Sequence, residues 1–155
     1  MMGSIARGCA AGAVGTTALN AVTYADMALR GRPASATPAT PVDEIGAGIG
    51  HPVAAGATRD NRLSGLGALS GIPDGTSTGA LGSLARGVGI RPPAWGRGPF
   101  AGALAMAAAD LPLACLGISD PRTWSAAHDW AADAIPHLVY GLTTCGALSS
   151  WERRG

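Results

Sequence analysis

Two residues stand out for the chemistry their types allow. Asp110 is a carboxylate in an otherwise uncharged stretch from Gly98 to Ser119, and His137 is an imidazole in an apolar stretch from Ala134 to Trp151. An aspartate and a histidine near one another can exchange a proton close to neutral pH, so the pair reads as a proton relay or a ligand site. The plainer reading is interhelical hydrogen bonding that fixes packing, worth about 0.6 kcal/mol per contact. Tyr140 and Thr144 follow His137 three and seven residues on, along one helical face. Thr16, Asn20 and Tyr24 share a second face at a spacing of four. Asn20, Tyr24, Asp110, His137 and Tyr140 are therefore expected to form one buried polar cluster.

Other chemistries find less support. Gly75-Thr76-Ser77-Thr78-Gly79 matches the G-x-S-x-G nucleophile pattern, with Asp110 and His137 following in hydrolase order. That elbow needs a strand before it and a parallel sheet around it, and Ile72-Pro73-Asp74 offers neither. All 11 basic residues are arginine, so phosphate-loop and Schiff-base lysines are excluded. Cys9, Cys115 and Cys145 are dispersed, and His51, His128 and His137 have no ligand spacing with cysteines or acids, so no metal is expected. The Gly46, Gly48, Gly50 run lacks the spacing of a dinucleotide fingerprint, and no cofactor is expected. A net charge of +1 rules out a basic nucleic-acid surface. No catalytic residue emerges.

The elements that must position these residues are helical and apolar. Hydrophobic residues make up 47% of the 155 and charged residues 14%, below the roughly 25% usual in soluble domains. Aromatics are only 5%, so the apolar character comes from Ala, with Gly close behind. Small residues suit helices that approach closely in lipid, although the mean hydropathy of +0.23 is low. The chain is expected to be an all-α integral membrane bundle of about four transmembrane helices in one domain. The spans fall near 6–28, 63–90, 98–118 and 134–151, and a Pro/Gly-rich loop occupies 30–62. Gly67, Gly71, Gly75, Gly79, Ser83 and Gly87 recur every four residues, a ridge of missing side chains for helix packing. Pro73 and Asp74 interrupt that ridge and leave the second span open to being kinked or re-entrant.

Trp95, Trp124, Trp130 and Trp151 all fall at span boundaries, where the indole is sheltered and its N–H stays wet. Thr40-Pro41-Val42-Asp43-Glu44 predicts a short surface helix ending in the glycine run. Asp120-Pro121 predicts a short interfacial helix over Trp124 to Ala132, before the last span. Four spans put Arg7, Arg86, Arg91, Arg97, Arg153 and Arg154 on one side, against five arginines on the other. The bias favours a plasma-membrane protein with both termini in the cytoplasm.

Four segments together resemble small uncharacterised multi-pass integral membrane proteins of high-GC actinobacteria. They are Gly12-x-x-Gly15-Thr16-Thr17-Ala18-Leu19-Asn20, Arg30-Gly31-Arg32-Pro33-Ala34-Ser35, Asp120-Pro121-Arg122-Thr123-Trp124 and Pro136-His137-Leu138-Val139-Tyr140-Gly141. The resemblance implies a helical membrane protein and no catalytic residue. The functional expectation is an accessory or self-associating helix-packing protein. Its partners would be the lipid bilayer and a homo-oligomer or larger membrane complex, with no nucleic acid. The alternative is a small proton-coupled carrier using Asp110 and His137.

Overall fold

The computed structural model describes residues 2–31, 39–115, 117 and 127–153. Asp120 to Trp124, residues 32–38, Arg154 and the side chain of His128 lie outside the described residues. The described chain is all-helical, with five α-helices. They are α1 (Met2–Arg30), α2 (Ala39–Gly48), α3 (Arg59–Gly87), α4 (Arg97–Cys115) and α5 (Ala127–Glu152), and a single 3₁₀ turn, Ala94–Gly96, leads into α4.

The short helix expected after Thr40 is α2, which begins one residue earlier and ends in the glycine run. Gly50 takes φ +76, and the His51 amide reaches back to the Gly46 carbonyl at 2.8 Å, so the last turn closes on a left-handed glycine. Gly89, at φ +93, ends α3 the same way, with the Ile90 amide bonded to the Ala85 carbonyl at 2.9 Å.

The helix over the second candidate span is continuous. α3 continues through Pro73, and its 29 residues extend about 43 Å at about 1.5 Å per residue. Thr76 and Ser77 return their hydroxyls to the carbonyls of Ile72 and Pro73, at 2.7 and 2.6 Å. The separate interfacial helix before the last span is a correction. Residues from Ala127 onward are the first turns of α5, which runs on through Pro136. A proline inside a helix removes only its own N–H, and the helix persists where neighbouring packing holds it.

The long helices run up and down. Ser4 lies against Ser83, and Arg86 pairs with Glu152 at 2.8 Å. The start of α1, the end of α3 and the end of α5 therefore share one end of the bundle. α1 packs on both α3 and α5, α4 packs on α5, and α3 and α4 barely touch. α2 sits beside α3, tied by Arg59 to Asp43 at 2.5 Å.

Glycines make the two tightest seams. A Cβ added at Gly79 would lie 2.7 Å from Gly12 Cα and 2.8 Å from Gly12 N. One added at Gly8 would lie 2.7 Å from the Gly79 carbonyl. Across the second seam, a Cβ at Gly102 would lie 2.6 Å from the His137 carbonyl, and one at Gly141 would be 2.8 Å from Gly102 Cα. Of the expected ridge, Gly75, Gly79 and Ser83 meet α1, and Gly67 is buried. Gly71 and Gly87 face open space; for Gly87 the strict spacing of four has drifted around a helix that turns every 3.6.

Large side chains divide unevenly between the interior and the surface. The buried hydrophobic residues are Ala11, Leu63, Ala105, Tyr140 and Leu148, whereas Leu69, Ile72, Leu81, Phe100 and Leu142 are among many large apolar side chains left exposed. Among the described residues, one helical stretch, Ala94–Cys115, is long and apolar enough to cross a membrane by length and composition. The other three long helices do not pass that test.

Gly79→Leu is expected to lower the stability of the purified protein by about 1–3 kcal/mol, or to abolish its folded yield, since four carbons would meet the α1 backbone there. Gly82→Ala, at a site with nothing within 4 Å, is the control and should melt like wild type. Equal thermal melts for the two variants would show that the seam does not form.

Candidate functional site

Tyr140 anchors the centre of the bundle. It is the largest fully buried side chain, and its hydroxyl donates to the Gly75 carbonyl of α3 at 2.6 Å. Its ring also flanks α1, since a Cβ at Gly15 would lie 2.8 Å from Tyr140 Cδ2. One side chain on α5 thus touches both α1 and α3. Three buried threonines surround it. Thr16 donates to the Gly12 carbonyl at 2.9 Å, Thr78 is 4% exposed, and the Thr144 hydroxyl has no hydrogen-bond partner among the described residues.

His137 lies about one turn earlier on α5, rotated away from Tyr140 towards α4. Its Nδ1 lies 2.9 Å from the Asp133 carbonyl and 3.2 Å from Asp133 Oδ1. A carbonyl only accepts, so Nδ1 carries the proton in this contact and Nε2 is left to face other partners. Asp110 of α4 interacts with both Asp133 and His137, and Asp74 of α3 interacts with His137. Asp133 is the carboxylate in contact with the imidazole, Asp110 lies beside that pair, and Asp74 is exposed on α3. Asp133 Oδ2 is buried without a hydrogen-bond partner among the described residues.

The expected five-residue cluster is redistributed. Asp110 and His137 come together, and Tyr140 lies one level away with its own partner. Asn20 is half-buried and Tyr24 is 49% exposed. Neither forms a hydrogen bond to the group among the described residues. The reason is helical phase: Tyr140 enters the seam of α1 with α3, whereas His137 turns towards α4, so one polar face of α1 cannot reach both. Asp133 was missing from the expectation although its spacing of four from His137 was legible as a helical pair. Gly8, Gly12, Gly98 and Gly102 were also missed as packing residues, and both pairs carry the same spacing of four.

The nucleophile pattern is dismantled. Ser77 is exposed in mid-helix with its hydroxyl bonded to the Pro73 carbonyl. No group of three or more His, Cys, Asp or Glu side chains among the described residues is arranged to hold a metal. What the arrangement can do chemically is hold a proton among Asp110, Asp133 and His137, or tie α4 to α5 through it.

The chain matches no protein-family model, no curated protein and no solved structure.

Tyr140→Phe keeps the ring and removes the donor. It should cost about 0.6–1 kcal/mol, read as a small drop in melting temperature of the purified protein. An unchanged melt would mean that the bond to Gly75 is not made.

Proposed function

We propose that the chain is a multi-pass protein of the cell membrane and acts by association, as an accessory or self-associating helix-packing protein. Its spans are α1, α3, α4 and α5, and both termini are cytoplasmic. One observation carries the reading: large apolar side chains point outward, while glycine, alanine and threonine fill the seams. In water that arrangement would expose far more apolar surface than a soluble monomer tolerates. In lipid it is favourable, because tails solvate the outer leucines and close backbone approach holds the helices.

The low hydropathy of three helices fits this reading. A window average counts the inward glycines and threonines equally with the outward leucines, although lipid meets only the latter. Five arginines of the described chain, Arg7, Arg86, Arg91, Arg97 and Arg153, belong to the end that holds the α1 start and the α5 end, which favours a cytoplasmic location for that end. Association is supported by Gly71 on the open face of α3, in a stretch with the exposed Leu69 and Ile72. A second helix can approach there as α1 does on the other face.

The carrier reading rests on a separate observation, the imidazole of His137 held by Asp133 with Asp110 beside the pair. Charged groups within spans are costly unless they are paired or wet, and they mark ion pathways in transporters. Packing alone explains the pairing of His137 with Asp133, so association stands first.

Extraction of membranes with alkaline carbonate should leave the chain in the pellet, and release into the supernatant would sink the membrane reading. Reporters fused to the two termini should report the same, cytoplasmic side. Asp110→Asn separates the two functional readings. Association expects a variant that purifies with the same companions and oligomeric state as wild type. A carrier expects normal folded yield with proton-coupled flux in vesicles reduced about 100-fold or more, the scale of a lost acid–base group.

A further inference from the structure

The loose seam between α3 and α4 encloses a cavity of about 510 Å³, within the roughly 300–1,000 Å³ of ordinary ligand pockets. It is bounded by α3, α4 and α5, with the start of α1 at its mouth. The cavity is strongly two-sided. Arg7, Arg86, Arg91 and Arg97 line it at the end where the termini lie, and Glu152 is the one carboxylate among its lining residues. Glu152 pairs with Arg86 at 2.8 Å, which leaves Arg7, Arg91 and Arg97 without a lining carboxylate among the described residues. Arg97 and Arg91 point their Nε groups at the carbonyls of Pro92 and Arg86, at 3.2 and 3.5 Å, so both are held close to the short connection between α3 and α4. α4 also begins here, adding the positive end of its dipole. Deeper in, the hydroxyls of Thr78, Tyr140 and Thr144 line one part, and Phe100, Leu104 and Leu148 form an apolar wall.

We propose that this cavity binds one anionic phospholipid of the cytoplasmic leaflet. The phosphate is held by Arg91 and Arg97 at the mouth, and the upper part of one acyl chain lies against Phe100, Leu104 and Leu148. The remainder of the lipid runs out between α3 and α4 into the bilayer. Guanidinium groups grip phosphate through paired N–H donors, and a basic pocket between spans on the cytoplasmic side meets the anionic leaflet. A free phosphate would satisfy the arginines and leave the apolar wall uncovered, whereas a neutral lipid would cover the wall and leave the excess positive charge unanswered. An anionic lipid does both. The inference rests on the membrane reading, which carbonate extraction tests independently.

The test uses the full chain in neutral detergent, with bound lipid counted by native mass spectrometry. The probes are phosphatidylglycerol, phosphatidylcholine with the same acyl chains, and inorganic phosphate. Wild type should retain one phosphatidylglycerol per chain, about tenfold more tightly than phosphatidylcholine, as expected for added charge-assisted hydrogen bonds. The double variant Arg91→Gln/Arg97→Gln should bind the two lipids alike. Leu104→Trp, which fills the apolar half and leaves the arginines in place, should weaken both. Helical circular dichroism and a single size-exclusion peak check that each variant is folded, and the arginine variants alter only the mouth should Leu104→Trp fail that check. Equal binding of the two lipids by wild type overturns the proposal, and so does unchanged selectivity in the arginine variant. Displacement of phosphatidylglycerol by inorganic phosphate overturns it too, since the site would then belong to a free anion. Any of these results in a chain that resists carbonate refutes the lipid site and leaves the membrane reading standing.

Discussion

The backbone contact between α1 and α3 sets the geometry of everything else. Gly8 and Gly12 lie against Gly75 and Gly79 so closely that a single added carbon on either side would overlap the opposite chain. Such an approach gains dispersion along two polypeptide backbones without large side chains. It also fixes the height of α3 against α1, which is what brings the Gly75 carbonyl within 2.6 Å of the Tyr140 hydroxyl. The second glycine seam, between α4 and α5, sets the height of α4 in the same way and carries Asp110 to the level of Asp133 and His137. α5 belongs to both pairs, since it packs on α1 and on α4.

Close packing in two seams has a counterpart in the place where packing is absent. α3 and α4 are adjacent in sequence, yet each is committed to a different partner. The connection between them is too short to let them diverge far, so they stand side by side with a cavity rather than a seam between them. Arg7, Arg86, Arg91 and Arg97 then line the mouth of that cavity.

The polar interior follows a division of labour by helical phase. Residues of α5 that face α1 and α3 are neutral, with Tyr140 hydrogen-bonded at their centre. Towards α4, Leu138, Gly141 and Leu142 pack on Gly98 and Gly102, and His137 is held by Asp133 one turn before it. Pro136 lies between them in sequence and removes one amide from the helix ladder, while the imidazole of the next residue bonds the Asp133 carbonyl.

Several features were legible from residue order alone. Composition and the lack of any strand pattern determined an all-α chain. The glycine run after Ile45 determined where α2 stops, because a left-handed C-terminal residue favours glycine. The isolated carboxylate and imidazole determined that Asp110 and His137 would need partners, since an unpartnered charge in apolar surroundings is costly. Residue order could not say which glycines of α3 meet a neighbour. Gly71 and Gly79 have the same spacing and chemistry, and only the crossing of α1 over α3 separates an exposed glycine from a buried one. It could not separate Tyr140 from His137 either, because three residues differ by a modest rotation whose meaning depends on where the other helices stand. The cavity was invisible for the same reason: it is made by two helices that do not pack, and a failure to pack is a property of the assembled bundle.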